Sequence, residues 1–271
     1  MSHDTSAPGR EYWDAIAEVY QEETHISCDD FHYGPLLPGD AEIGLLPASV
    51  KGLNCLELGC GAAQNSIFLA RRGAQCTAID LSAAQLQSAR SIAAEKRVDV
   101  ALIQADIGAL PLTRQPQFDL IHSTYALPFV GDQRKVVLQA AARLRPGGWL
   151  LLSTAHPLST SEWLDVDEDE SGVFLQDYFN PAADSRIADR DHGESRSQPV
   201  PTSQVFAWLR EAGLAVEQFL EPQPLPLSEM TDASIPQRIP YWSSAWLERY
   251  DELARVPFVA IFLARKGAHS R

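Results

Sequence analysis

The sequence predicts an α/β protein with a doubly wound, mostly parallel sheet of seven strands, a helical lid before it and cap insertions late in the chain. Three observations carry this expectation. Short apolar runs alternate with helically spaced segments from residue 53 to residue 154, the β-α-β order of a parallel sheet. Glycines or acids stand at the ends of the first three such runs, where open parallel sheets bind ligands. The regular alternation lapses only after His156, for about forty residues, far longer than an ordinary connection.

Taken in order, residues 12–20 set Trp13, Ile16, Ala17 and Tyr20 at helical spacing, and a loop with His32-Tyr33-Gly34-Pro35 follows. Residues 1–48 are expected to form the N-terminal lid. Residues 53–58 make a strand ending in a glycine-rich turn, and 64–72 a helix stopped by Gly73. Residues 75–79 are the second strand, and Ser82 caps a helix running to Lys96. Residues 100–105 and 118–122 are the third and fourth strands. A helix over 132–144 closes at Pro146-Gly147-Gly148, before a fifth strand at 149–154. Thr202 or Ser203 caps a helix to Ala212, and 214–220 and 258–263 are the last strands. The main domain is therefore expected over 49–157 and 202–271, with 158–201 and 223–255 as cap or substrate insertions.

The chain has 271 residues, enough for one such domain with insertions. Its net charge of −14 repels phosphate backbones and makes nucleic acid a poor partner. Between residues 162 and 194 stand eleven Asp or Glu against two Arg. This segment reads as a solvated loop or as an acidic rim that steers a cationic substrate. The first ten residues are polar and unlike a secretion signal, and no apolar run is long enough to span a bilayer. Cys28, Cys55, Cys60 and Cys76 form no CxxC pair and read as reduced core residues of a cytoplasmic protein without a metal site. No pattern specifies an oligomeric state.

The strongest motif is Leu56-Glu57-Leu58-Gly59-Cys60-Gly61, a strand running into a sharp turn that a ligand can approach closely. A dinucleotide fold would want a third glycine at position 64, which is Gln. Asp80 ends the second strand, nineteen residues past Gly61, where an acid can accept from the two hydroxyls of a ribose. Asp106 follows the third strand, where a carboxylate can accept from an exocyclic amine, with Leu81 and Ile107 flanking a flat ring. Helix-capping is the competing role for both acids.

These residues, with Ala70-Arg-Arg-Gly-Ala, Ala78-Ile-Asp-Leu-Ser, Gln104-Ala-Asp, Phe118-Asp-Leu-Ile and Leu144-Arg-Pro-Gly-Gly, closely resemble class I S-adenosylmethionine-dependent methyltransferases, which have a Rossmann-like sheet. The resemblance spans about residues 50–156, and more weakly 202–221 and 257–266. It implies that Glu57, Gly59, Cys60 and Gly61 contact the methionine part of the cofactor, that Asp80 binds the ribose, and that Asp106 and Ile107 bind the adenine. It places His122 and Ser123 near the sulfonium. The family's last loop glycine is Ala63 here, so a slightly shifted loop is expected. The Asn- or Asp-Pro-Pro-Tyr of many DNA-base methyltransferases is absent; the segment is His122-Ser-Thr-Tyr-Ala-Leu-Pro. With the acidic charge, that argues for a small-molecule acceptor and a methyl transfer by in-line displacement.

A base is required only if the acceptor must lose a proton. The candidates are His156, just past the fifth strand, and His32 and Tyr33 of the lid; core packing is the competing role for each. Tyr20 is expected to contact the cofactor from the lid helix, alongside Tyr12 and Trp13. Tyr178, Phe179, Trp208, Tyr241, Trp242 and Trp246 would line an acceptor pocket or form the insert core. His192 reads as solvent-exposed. An alternative enzyme class attacks the same cofactor at its methionine chain, giving cyclisation or aminocarboxypropyl transfer with methylthioadenosine as product. A non-catalytic binding module and a dehydrogenase are further alternatives, opposed by Asp80 and Asp106 and by Gln64 respectively.

Overall fold

The computed structural model describes residues 6–112, 115, 117–167, 170–188, 193–227 and 235–268. A seven-stranded sheet organises it: β1 (Asn54–Leu58), β2 (Gln75–Asp80), β3 (Val100–Gln104), β4 (Phe118–Thr124), β5 (Leu144–Ala155), β6 (Leu214–Leu220) and β7 (Val259–Lys266). Their spatial order is β6-β7-β5-β4-β1-β2-β3. β1 pairs in parallel with β2 and β4, β2 with β3, and β4 with β5; β7 runs antiparallel between β5 and β6. The order reverses at β1 and β4, which start at the centre and wind outward to opposite edges. That switch point opens a crevice at the carboxyl ends of the strands.

The central strands are apolar runs because both faces of the sheet are covered. On one face α4 (Gln133–Arg143) and α5 (Thr202–Glu211) bury Val136, Val137, Ala140, Val205 and Leu209 against Leu56, Leu58 and Ile121. On the other, α2 (Gln64–Arg71) contributes Phe68 and Leu69, which join Phe31, Leu36 and Leu37 over Cys55, Leu120 and Ile261. Residues 31–37, expected in the lid, are therefore core. α1 (Ser6–Glu23) lies against α3 (Ala83–Lys96), where Asp14 Oδ1 accepts from Ser82 Oγ at 2.6 Å and from the Ala84 amide at 3.1 Å. Ser82 also caps α3 by accepting from the Gln85 amide at 3.1 Å, as its position in the sequence predicts.

Several boundaries differ from expectation. β4 runs two residues past His122, and β5 extends from Leu144 to Ala155. The expected irregular insertion contains two antiparallel hairpins, Glu162–Asp167 with Glu170–Phe174, and Asp184–Ile187 with Glu194–Ser197. In the second insertion Tyr241–Ser243 pairs with Thr24–Ile26 just after α1. All four cysteines are buried and free. Among the described residues no helix is long and apolar enough to cross a membrane. His192 lies outside the described residues.

Asp40 holds the 31–46 segment in place. Its Oδ1 accepts from the Leu45 and Leu46 amides at 2.7 and 3.0 Å and from the Tyr33 hydroxyl. Asp40→Ala is expected to lower unfolding stability by about 2 kcal/mol, the loss of bonds to a partly exposed charged acceptor. Urea denaturation measures it, and an unchanged midpoint would show that these bonds do not hold the segment.

Candidate active site

The ends of β1, β2, β3 and β4 open on a cleft of about 750 Å³, lined also by α1, by Arg186 and residues 194–196 of the second hairpin, and by Tyr241 and Trp246. Its floor is the turn after β1. The Gly59 and Cys60 amides donate to the Ile79 carbonyl at 2.8 and 3.0 Å. The Gly61 amide donates to Asp80 Oδ2 at 2.8 Å, and the Ser82 amide to Asp80 Oδ1 at 2.9 Å. Gly59 and Gly61 have φ of 70° and 52°, the left-handed region where only glycine sits without strain. A Cβ on Gly59 would lie 2.3 Å from Ala126 Cβ, so the turn and the loop after β4 touch backbone to side chain. A Cβ on Gly61 would meet no protein atom nearer than 3.8 Å, because the space above it is the cleft. Ala63 adopts φ 59° and ψ 30°, so the backbone keeps a conformation suited to glycine despite the substitution.

Three carboxylates face this cleft. Glu57 is buried, with Oε2 accepting from the Ser66 amide at 3.0 Å and from Ser66 Oγ at 2.5 Å. Its nearest positive candidate is His122 Nδ1 at 4.0 Å from Oε1, and burial holds that imidazole neutral by lowering its pKa to about 3. Burial therefore pushes the Glu57 pKa up to about 8, against the downward pull of the Ser66 bonds. Asp80 is pushed up by burial and held down by the amides of Ser82, Gly61 and Leu81. Oδ1 and Oδ2 thus each accept from a backbone amide, and a carboxylate oxygen with two lone pairs can accept a further bond from a ligand. Asp106 Oδ1 accepts from the Gly108 amide at 2.7 Å, beside Ile107.

The cleft thus collects Glu57, Gly59, Cys60 and Gly61 with Asp80, Leu81, Asp106 and Ile107, and Tyr20 and His32 join them from above. Tyr20 bonds hydroxyl to hydroxyl with Tyr241 at 2.7 Å, closing the lid helix on the second insertion. His32 is fixed by Asn65, whose Oδ1 accepts from the His32 amide at 2.9 Å and whose Nδ2 donates to the His32 carbonyl at 3.0 Å. Burial lowers the His32 pKa to about 3, so the ring is neutral near pH 7. Its Nδ1 is buried without a partner. An orphaned lone pair is tolerated better than an orphaned N–H, which favours the tautomer with the proton on Nε2.

Four expected site residues stand elsewhere. Ser123 is buried, its Oγ donating to the Leu58 carbonyl at 2.8 Å. His122 is buried beside it. Because β4 runs on to Thr124, the strand mouth moves two residues, and Thr124, Tyr125 and Ala126 line the cleft instead. Tyr33 is fully buried, its ring against Phe31 and its hydroxyl donating to Asp40. His156 is turned away from the cleft: Nδ1 accepts from the Leu158 amide at 3.1 Å, leaving Nε2 to donate to Glu221 Oε1 at 2.9 Å. Both of its nitrogens are engaged outside the cleft lining.

Of the insert aromatics, Tyr241 and Trp246 line the cleft, while Phe179 is largely exposed. Arg186 is a lining residue that sequence reading missed. The available signal was the Asp184-x-Arg186 spacing, which sets both charges on one face of a strand.

Comparison with known proteins agrees with this geometry. A family model described as a methyltransferase domain matches residues 55–148. The ubiquinone biosynthesis O-methyltransferase of Alkalilimnicola ehrlichii is 37% identical over 107 residues, covering 40% of this chain and 43% of that protein. Its counterpart from Stutzerimonas stutzeri is 32% identical over 172 residues, covering 64% of this chain and 68% of the relative. An S-adenosylmethionine-dependent methyltransferase structure from Mesorhizobium loti superposes with a TM-score of 0.64 at 27% identity, covering 83% of this chain and 96% of that one. The match to the first of these relatives spans less than half of its length. The fold and cleft define a Rossmann-like, nucleotide-end site on a seven-stranded sheet. The chain belongs to the class I S-adenosylmethionine-dependent methyltransferases.

S-adenosylmethionine is the cofactor of that family. The residues present fit it: a buried carboxylate without a counter-cation suits an ammonium group, and the glycine turn leaves room where a side chain would intrude.

The raised pKa of Glu57 has a thermodynamic consequence. The folded state holds this proton more tightly than the unfolded chain, so the Glu57 contribution to stability is complete at low pH. It is lost as pH rises from the ordinary carboxylate range through about 8. Without ligand, wild-type stability should therefore fall relative to Glu57→Gln between about pH 5 and pH 8, then level off. Urea unfolding of the two proteins across that range checks it; a pH-independent difference would contradict the burial of an unpaired carboxylate.

Proposed function

We propose that this protein transfers the methyl group of S-adenosylmethionine to an oxygen of a small-molecule acceptor by in-line displacement. One observation carries the reading: Glu57, Asp80 and Asp106, none with a Lys or Arg partner among the described residues, converge on one cleft floored by Gly59 and Gly61. The O-methyltransferase names of the relatives support oxygen as the attacking atom. The enclosed cleft and the net charge of −14 support a small acceptor over a nucleic acid, and four free cysteines accord with a cytoplasmic setting.

When bound, the cofactor supplies a methyl group on a positively charged sulfur. Glu57 would hold its ammonium group and Asp80 its ribose hydroxyls. Asp106 would accept from the adenine amine, with Leu81 and Ile107 against the ring. The acceptor oxygen would take that methyl group as the carbon–sulfur bond breaks, the electron pair staying on sulfur. The acceptor's hydroxyl proton would be lost to solvent before the rings enclose it, so that the oxygen attacks as an anion. The aromatic rings of Trp13, Tyr20, Tyr125, Tyr241 and Trp246 exclude water and restrict the acceptor's approach, the kind of positioning that lowers a barrier by roughly 7–11 kcal/mol. His32, neutral and fixed by Asn65, serves as a hydrogen-bonding group that orients the acceptor.

Two measurements test this. Incubation with S-adenosylmethionine and a metabolite extract, followed by mass spectrometry, should yield S-adenosylhomocysteine and an acceptor heavier by one CH2; methylthioadenosine instead would overturn methyl transfer. In calorimetry, Asp80→Asn should weaken S-adenosylhomocysteine binding by about 1–3 kcal/mol, and an unchanged affinity would remove Asp80 from the cofactor site.

A further inference from the structure

The cleft contains a cation, Arg186, to which the cofactor contacts proposed above assign no role. Arg186 lies on the Asp184–Ile187 strand of the cap hairpin and lines the cleft. A guanidinium carries five N–H donors in a planar fork. Asp184 Oδ2 accepts from Nε at 2.8 Å and lies 2.7 Å from Nη2, leaving Nη1 without a protein partner among the described residues.

The surroundings of this charge are aromatic. Tyr20, Tyr125 and Tyr241 line the same cleft as Arg186; burial raises their phenol pKa values, and the Arg186 charge pulls each the other way. Trp13 meets Tyr20 edge-on with ring centres 5.7 Å apart, and Trp246 meets Tyr125 edge-on at 6.4 Å. Arg196 and Lys135 also border the cleft, but both are exposed, whereas Arg186 is half-buried. An aromatic cage alone would favour a quaternary ammonium. Here the rings stand with a guanidinium that, although paired with Asp184, still presents donors to an anion.

We propose that the acceptor is an aromatic carboxylic acid, its carboxylate held by the free edge of Arg186 and its ring packed among Tyr20, Tyr125, Tyr241 and Trp246. The planar fork matches a carboxylate with two parallel bonds, and the rings offer edge-to-face contacts to a flat substrate. This substrate class rests on the methyltransferase reading of the same cleft.

The test uses the full chain saturated with S-adenosylhomocysteine and three probes of similar size: benzoate, benzamide and benzylamine. Tryptophan fluorescence reports their binding. Wild type should bind benzoate at least tenfold more tightly than benzamide, and benzylamine most weakly. Arg186→Gln should abolish the preference for benzoate while leaving S-adenosylhomocysteine affinity unchanged, and Arg186→Lys should keep part of it. Failure of wild type to bind benzoate, a preference for benzylamine, or an undiminished benzoate preference in Arg186→Gln would each overturn the proposal. So would a loss of S-adenosylhomocysteine affinity in Arg186→Gln, which would assign the arginine to the cofactor. Failure of wild type to bind S-adenosylhomocysteine would instead overturn the underlying reading of the cleft.

Discussion

The hydrogen bond from the Gly61 amide to Asp80 Oδ2, 2.8 Å long, is the constraint on which the site depends. It joins the turn after one strand to the last residue of the next. It requires the two strands to end together, and they do: β1 and β2 pair Leu58 with Ile79, and β2 and β3 pair Asp80 with Gln104. The Ile79 carbonyl strengthens the link by accepting from Gly59 and Cys60. A one-residue slip in this parallel register would turn the strand-end side chains to the other face and scatter the three carboxylates.

Above that floor a chain of side-chain amides ties the lid helix down. Gln64 Nε2 donates to Gln21 Oε1, and Gln21 Nε2 to Gln85 Oε1, each at 3.0 Å, tying α1 to both α2 and α3. The residue that breaks a dinucleotide glycine pattern thus has a positive role as the first link to the lid. Asn65, one residue on, fixes His32 and donates to Thr124 Oγ1 at 3.2 Å, so the floor, the lid loop and the mouth of β4 share one side chain. Tyr20 of α1 and Tyr241 of the second insertion complete the enclosure through their hydroxyl-to-hydroxyl bond. Arg186, Tyr125 and Trp246 line the same cleft as these elements.

The sheet was legible because buried parallel strands appear in a sequence as short apolar runs, and because glycines or acids recur at the ends of successive runs, although Asp106 also has the local role of capping the turn at Gly108. Ser82 announced its helix through side-chain chemistry that acts over three residues. Other roles depend on partners far along the chain. Of the two roles the sequence leaves open for Tyr33, the structure favours packing: Asp40 and the 31–37 core segment withdraw it from the cleft. His156 is withdrawn by Glu221, sixty-five residues away in sequence. Ser123 fell short of the mouth only because β4 continues for two more residues, a boundary no local pattern specifies. The cap hairpins were hidden for a different reason: strands such as Asp184–Ile187 are short, polar and partly exposed, and acidic composition there resembles a solvated loop.

The most direct test of the account is a crystal structure of the protein with S-adenosylhomocysteine. Both oxygens of Asp80 should lie within about 2.5–3.0 Å of the ribose hydroxyls, with a Glu57 oxygen against the ammonium group and the glycine turn unmoved. A ligand seated elsewhere, or an Asp80 carboxylate turned from the ribose, would contradict the assignment of this strand edge as the cofactor site.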